Sequence, residues 1–108
     1  MAEWGRYLQL NGQRSAEVTS EIGVVMLEKH VRVAMLQEPY VSERRVSGLP
    51  ECMRVLAATG SPSAAIVVND PSADVMGLPS RTNEYAACVW MKDQAGERYV
   101  ASVDRSGG

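Results

Sequence analysis

The fold of this chain is decided by residues 6–37, RYLQLNGQRSAEVTSEIGVVMLEKHVRVAMLQ. The alternating residues 6–12 predict a first strand that ends in an Asn-Gly turn. Residues 16–30 predict an amphipathic helix, and residues 31–37, apolar and β-branched, predict a buried strand. Because the second strand follows a crossover helix, we expect it to lie parallel to the first, in a right-handed βαβ unit.

The predicted helix has a defined start and a defined apolar face. Ser15 is suited to the N-cap position, and the acidic residues that follow favour the positive end of the helix dipole. The predicted buried face follows a 4-3-4 spacing and consists of Val18, Ile22, Val25 and Lys29, with Met26 beside it. His30 closes the helix, where histidine is usually a surface or capping group.

The rest of the chain predicts short strands separated by turns. We expect a polar surface loop at residues 40–50 and strands at residues 52–58, 64–68, 74–78, 84–91 and 98–103. Residues 93–96 predict a hairpin turn, and Asn83 and Glu84 read as turn residues. The predicted fold class is therefore α+β, with one βαβ unit followed by an antiparallel strand meander.

The composition of the chain restricts the possible functions but does not indicate one of them. The 108 residues carry 11 basic and 13 acidic side chains, a net charge of −2, whereas duplex-DNA binders usually show a basic surplus. Cys52 and Cys88 lack any zinc-like spacing and are expected to be small buried hydrophobes of a reducing compartment. The sequence shows neither a signal peptide nor a membrane-spanning run, so we expect an intracellular protein without a membrane partner.

The strongest candidate site pairs Asn11 with Glu38. Each residue follows or ends a predicted strand, and the carboxyl ends of parallel neighbours meet at one edge of a sheet. Mg²⁺ takes one or two carboxylates together with water and phosphate oxygens, so the pair predicts a metal site for phosphodiester chemistry. The alternative is structural: polar residues are common at strand ends, and Asn-Gly is an ordinary turn.

Two motifs resemble those of a known family. Residues 8–15 (LQLNGQRS) resemble the opening strand of the endonucleases carried by non-LTR retrotransposons, within the endonuclease/exonuclease/phosphatase superfamily. Residues 33–40 (VAMLQEPY) resemble the second strand of that family, and residues 64–68 and 99–103 match two further strands. The order and spacing of these segments make the resemblance more specific than any one of them.

The resemblance implies a fold, an activity and roles for several residues. The fold would be part of a four-layer α/β-sandwich of the DNase I-like type, and the activity Mg²⁺- or Mn²⁺-dependent nicking of DNA. Glu38 matches the metal-binding glutamate of the family, and Asn11 matches the asparagine that supports the metal and the scissile phosphate. Tyr40, Arg44 and Arg45 lie in a loop that would run beside the DNA, although the bland reading is a solvated loop.

The chain also departs from the family pattern. Asp104 stands where the family has a catalytic tyrosine, and the later Asp-x-Asn and Ser-Asp-His motifs do not follow. We therefore expect residues 1–108 to be the N-terminal portion of a single endonuclease/exonuclease/phosphatase domain, with residues 5–103 ordered and residues 104–108 a disordered tail. Its partners would be DNA and the missing C-terminal half, and alone it would be inactive.

Two other functions remain open at this stage. A phosphatase or repair nuclease of the same superfamily would use similar strands with different loops. A non-catalytic interaction domain would keep the fold without the chemistry, which the missing acid and base residues favour. An expressed retrotransposon protein of this kind would be expected in the nucleus.

Overall fold

A computed structural model describes residues 7–94 and 96–104 of the chain. The helix and strands follow in the order β1 (Tyr7–Asn11), α1 (Ala16–Glu28), β2 (Val33–Gln37), β3 (Val41–Ser42), β4 (Arg45–Val46), β5 (Arg54–Ala57), β6 (Ala64–Val68), β7 (Asp74–Gly77), β8 (Ala86–Asp93) and β9 (Gly96–Val103). A 3₁₀ turn, Pro79–Arg81, precedes β8.

The strands form two sheets and one small hairpin. The first sheet has the order β1-β2-β6-β5, and the second has the order β7-β8-β9. β1 and β2 are parallel, with Tyr7 opposite Val33, so the predicted βαβ unit is confirmed. All other strand pairs are antiparallel, but the predicted meander is divided: β7, β8 and β9 form the second sheet, whereas β5 and β6 join the first sheet.

Two hydrophobic layers hold these elements together. One lies between the sheets and includes Val33, Ile66, Val89 and Met91. The other lies between the first sheet and α1 and includes Ile22, Met26, Leu36 and Val67. β6 contributes to both layers and is buried along its whole length, which explains its continuous apolar sequence AAIVV.

The buried face of α1 differs from the predicted one. Thr19, Ile22, Gly23 and Met26 are the buried residues of the helix, whereas Lys29 is exposed. A Cβ at Gly23 would lie 2.5 Å from Cδ of Pro50, so the helix approaches this proline closely because glycine stands there. The predicted 4-3-4 face was therefore correct only in part. Thr19 and Gly23 are buried although they were not predicted to be, because small residues allow the helix to approach its neighbours closely.

The ends of α1 follow the expected capping chemistry. The Ser15 side chain accepts a hydrogen bond from the Val18 backbone N–H at 3.2 Å, which confirms the predicted N-cap. The helix ends at Glu28, earlier than predicted, and the Val31 N–H bonds back to the Met26 carbonyl at 3.0 Å. His30 has a φ of 55° in this turn, the left-handed position at which such caps usually place glycine.

Residues 40–50 are more ordered than the expected loop. They contain the hairpin of β3 and β4, whose turn residues Glu43 and Arg44 have φ values of 53° and 64°. This pair of left-handed residues matches the twist that a two-residue hairpin needs. Sequence patterns missed the hairpin because neither turn residue is the usual glycine or asparagine.

Several smaller expectations also need correction. Cys52 is exposed and Cys88 is half-buried, so neither is the fully buried hydrophobe that was predicted. Asp104 is buried, with 4% of its surface exposed, although it was expected to begin a disordered tail. Its N–H bonds to the Tyr85 carbonyl at 2.8 Å, while residues 105–108 lie outside the described residues. Within the described ranges, no helix is long and apolar enough to cross a membrane.

Candidate functional site

The carboxyl ends of β1 and β2 form the candidate site. Asn11 is paired in register with Gln37, so Glu38 lies one position beyond it along the sheet. The Gly12 N–H bonds to the Gln37 carbonyl at 2.7 Å, which continues the pairing past the end of β1. The structure therefore brings the two predicted site residues to the same edge of the same sheet.

Glu38 has an unusual and well-supported backbone. Its φ of 48° lies in the left-handed region, which is uncommon for a residue with a side chain. Its N–H donates to the Ser63 carbonyl at 2.8 Å, and its carbonyl accepts from the Arg14 N–H at 2.8 Å. Such conformations persist where surrounding contacts impose them, and they concentrate at functional sites.

Gly12 allows the two strand ends to approach each other. A Cβ at this position would lie 2.8 Å from the Glu38 carbonyl oxygen and 2.9 Å from Oγ1 of Thr19. The Thr19 hydroxyl in turn accepts a hydrogen bond from the Tyr40 N–H at 3.0 Å. A side chain at position 12 would therefore crowd both the Glu38 carbonyl and the Thr19 hydroxyl that holds the Tyr40 backbone.

The Asn11 side chain has a local structural role. Its Oδ1 accepts a hydrogen bond from the Gln13 N–H at 2.7 Å, and the residue is exposed. This is the Asx-turn geometry that the structural interpretation of Asn-Gly predicts. This hydrogen bond uses one lone pair of Oδ1, so Asn11 keeps a second lone pair on that oxygen together with its amide donor.

The second sheet reaches the same edge through β9. At the start of β9, Arg98 contacts Tyr7 of β1, and near its end the Ser102 hydroxyl donates to the Leu36 carbonyl of β2 at 3.1 Å. β9 therefore runs in the same direction as β1 and β2. Asp104, which follows β9, lies on the side of the sandwich where β1 and β2 end.

The predicted DNA-contacting residues follow Glu38 directly. Tyr40 is half-buried, and its carbonyl accepts from the Ser47 N–H at 2.9 Å, which closes the base of the β3–β4 hairpin. Arg44 and Arg45 are exposed at and beside the turn. The arginines are therefore available on a short ordered hairpin, whereas Tyr40 is held at its base.

The carboxylate content of the site is small. Within residues 7–94 and 96–104, three or more His, Cys, Asp or Glu side chains nowhere assemble into a group that could hold a metal ion. A site centred on Glu38 fits Mg²⁺, which uses one or two protein carboxylates and keeps most of its other ligands as water and phosphate oxygens. It does not fit a cation that needs a full protein cage.

Sequence patterns missed two serines of this site, Ser63 and Ser102. Both are buried, with 6% and 1% of their surfaces exposed. Ser63 binds the Glu38 N–H through its carbonyl, and Ser102 bonds to the end of β2. Ser102 lies inside an otherwise apolar stretch of β9, which was the available signal, whereas Ser63 precedes β6 and gave none; the partners of both are far away in the sequence.

Proteins similar to this chain come from retrotransposable elements. No protein-family model matches the chain. The 115 kDa protein of the type-1 retrotransposable element R1DM from Drosophila melanogaster is 30% identical over 97 residues, which is 90% of this chain and 9% of that protein. The Pol polyprotein of the type-1 retrotransposable element R1 from Bradysia coprophila is 42% identical over 62 residues, covering 54% of this chain and 6% of that protein.

A solved structure supplies the deciding likeness. The endonuclease domain of TRAS1, a telomere-specific non-LTR retrotransposon, superposes with a TM-score of 0.77 and 29% identity over 91% of this chain. The chain is similar in sequence and in fold to the endonuclease domain of a non-LTR retrotransposon. It spans 43% of the TRAS1 endonuclease chain. The α+β fold predicted from the sequence agrees with this neighbour.

Proposed function

We propose that this chain supplies the Glu38 and Asn11 side of a Mg²⁺- or Mn²⁺-dependent DNA endonuclease that nicks target DNA for retrotransposon integration. The observation that carries the proposal is the meeting of Asn11 and Glu38 at the ends of two parallel strands. The homology to a retrotransposon endonuclease domain supports the assignment of DNA as the substrate class.

Each residue has a distinct proposed task. The Glu38 carboxylate would hold the metal ion, since the left-handed backbone presents a half-buried side chain at the sheet edge. A bound Mg²⁺ ion polarises the phosphodiester and lowers the pKa of a coordinated water. Asn11 would support the metal ion through the second lone pair of its Oδ1 and the phosphate through its amide N–H, since the Gln13 N–H occupies only one lone pair of that oxygen.

The hairpin of β3 and β4 would bind the DNA backbone. Arg44 and Arg45 are exposed there, and guanidinium groups are suited to phosphate oxygens. Tyr40, half-buried at the base of the hairpin, would pack against a sugar or base. With a net charge of −2, the chain offers no general attraction for DNA, so binding would depend on these local contacts.

We further propose that the chain is inactive without the rest of the domain. It spans 43% of the homologous endonuclease chain, and its described part offers one strong carboxylate at the site. Catalytic groups that act together are strongly non-additive, so the absence of several removes nearly all of the acceleration. The remaining part of the domain would supply the groups that orient water and stabilise the leaving oxygen.

The test is nicking of supercoiled plasmid in Mg²⁺. The purified chain should give no product above the buffer background. Fused after Val103 to the C-terminal half of a related endonuclease domain, with tyrosine restored at position 104, it should nick the plasmid. Glu38→Ala should abolish this activity, and Asn11→Ala should lower it about 10- to 100-fold.

Controls separate loss of chemistry from loss of folding. Glu43→Ala in the same fusion removes an exposed carboxylate of the hairpin turn and should leave nicking intact. An inactive fusion with normal folding would favour the alternative function, a non-catalytic interaction domain. Activity that survives Glu38→Ala would show that the metal ligand lies elsewhere.

A further inference from the structure

Two buried serines connect the second sheet to the site. The Ser102 hydroxyl of β9 donates to the Leu36 carbonyl at 3.1 Å and accepts from Nε2 of Gln37 at 3.1 Å. The Ser63 hydroxyl donates to the Glu84 carbonyl at 2.9 Å, just before β8. Each hydroxyl therefore spans from one sheet to the other at the edge where β1 and β2 end.

Both serines contact Glu38 or its neighbour. Ser102 bonds to the residue before Glu38, and Ser63 bonds to Glu38 itself. Gln37, held by Ser102, immediately precedes Glu38, and its carbonyl also accepts the Gly12 N–H at 2.7 Å. The Ser63 carbonyl accepts the Glu38 N–H at 2.8 Å. The serines thus hold the segment on which the left-handed Glu38 depends, from both sides.

Packing alone does not account for a hydroxyl at position 102. The residue is 1% exposed, and Val100, two positions earlier on the same face of β9, is an apolar core residue. A buried hydroxyl is costly unless its hydrogen bonds are made, and Ser102 makes two with β2. What these bonds achieve is to fix where β2 ends.

We propose that Ser102, with Ser63, is a positioning residue for the Glu38 carboxylate. The serine pair makes the placement of Glu38 depend on the docking of the second sheet. This inference rests on the proposed function where it concerns metal binding. The placement of the Glu38 backbone can be measured without any metal. The positioning role of the serines and the proposed metal function can therefore fail separately.

The test uses the full chain and two readouts. Amide hydrogen exchange at Glu38 and Arg14 reports the two backbone bonds that hold the left-handed turn. Paramagnetic broadening by Mn²⁺ alone reports metal affinity at Glu38. In Ser102→Ala we expect exchange at these amides to increase about 10-fold and Mn²⁺ affinity to fall about 10-fold, as is usual when a group supporting a metal ligand is removed.

The matched control is Val100→Ala, a core truncation on the same face of the same strand. It should loosen the sandwich generally without selective exchange at Glu38. Ser102→Thr keeps the hydroxyl and should restore both readouts. If Ser102→Ala does not fold, Ser102→Cys retains the side-chain volume with a much weaker donor and is measured in the same way.

The outcomes are distinct. Selective loosening at Glu38 and rescue by threonine support the proposal. Unchanged Glu38 exchange in Ser102→Ala, or the same pattern in Val100→Ala, overturns it, as would unfolding of both the alanine and cysteine variants. If Glu38 loosens but the wild-type chain never binds Mn²⁺, the positioning role stands and the proposed metal function fails.

Discussion

The two ends of the sandwich differ in the contacts that hold their polar residues in place. At one end, which we call the closed end, Tyr7, Asp93 and Arg98 form a cluster of side chains. At the other, the open end, Asn11, Gly12 and Glu38 lie where β1 and β2 finish. The same strands connect both ends, so their differences arise from local contacts and not from a difference in fold.

Charge at the closed end is satisfied inside the chain. The Arg98 guanidinium donates to both Asp93 carboxylate oxygens and to the Tyr7 hydroxyl, and it lies 5.2 Å from the centre of the Tyr7 ring. Its hydrogen bond with Asp93 raises the pKa of Arg98 above its usual range. The Asp93 side chain is 1% exposed, which is what a structural ion pair requires.

At the open end, constraint falls on the backbone. Glu38 is half-buried and Asn11 is exposed, while the backbone around them is tightly hydrogen-bonded. The contrast separates two kinds of carboxylate. A carboxylate buried against its own arginine stabilises the fold, whereas the half-buried Glu38 carboxylate, on a left-handed turn at the edge of the sheet, is the proposed metal ligand.

The largest effect should come from breaking the closed end. Asp93→Ala removes two hydrogen bonds between the Arg98 guanidinium and a carboxylate that is 1% exposed, and we expect it to lower the free energy of unfolding by about 3 kcal/mol. Glu38→Ala should cost less than about 1 kcal/mol. Urea denaturation measures both. Equal losses would show that the Glu38 carboxylate contributes as much to the stability of the fold as the Asp93 carboxylate does.

The next effect concerns the packing of the open end. In Gly12→Ala the new Cβ meets the Glu38 carbonyl oxygen and Thr19, so we expect a loss of about 2 kcal/mol in unfolding free energy. Gly77→Ala is the matched control, because its Cβ would meet only Cδ2 of Leu56 at an ordinary 3.7 Å. Gly12→Ala should melt at a clearly lower temperature than Gly77→Ala. Similar melting temperatures would show that the backbone at the open end can shift to accommodate a Cβ at position 12.

A smaller effect tests the left-handed backbone. Glu38→Gly should be about 1 kcal/mol more stable than Glu38→Ala, because glycine adopts positive φ without a Cβ penalty. His30→Gly should show a similar gain over His30→Ala, since His30 also has a φ of 55°. Only the Glu38 substitutions should lose Mn²⁺ binding. A glycine variant no more stable than its alanine counterpart would mean that the turn carries no strain.

The smallest effect is metal stabilisation of the open end. With a dissociation constant of about 5 mM, about 10 mM Mg²⁺ should raise the free energy of unfolding by only about 0.6 kcal/mol. Titration calorimetry and melts with and without Mg²⁺ should agree on weak binding that Glu38→Gln removes. Tight binding, or binding indifferent to this substitution, would exclude Glu38 as the main ligand.

Local signals in the sequence were enough for the framework. The βαβ unit, the Ser15 cap and the buried β6 follow from periodicity, capping chemistry and a short apolar run, all of which involve neighbouring residues. The candidate pair Asn11 and Glu38 also came from the sequence, because parallel strands place their carboxyl ends together. Its chemical role remains a prediction.

Tertiary structure decided what depends on distant segments. The buried face of α1 was set by the contact of Gly23 with Pro50, and the closed end joins Tyr7 to Arg98 across 91 positions. The left-handed turn at Glu38 exists because Ser63 and Arg14 bond to its backbone. The identity of a single residue does not reveal a contact with a residue so far along the chain. Its conformation in the folded protein is determined by the energy of the whole fold and not by the propensity of that residue alone.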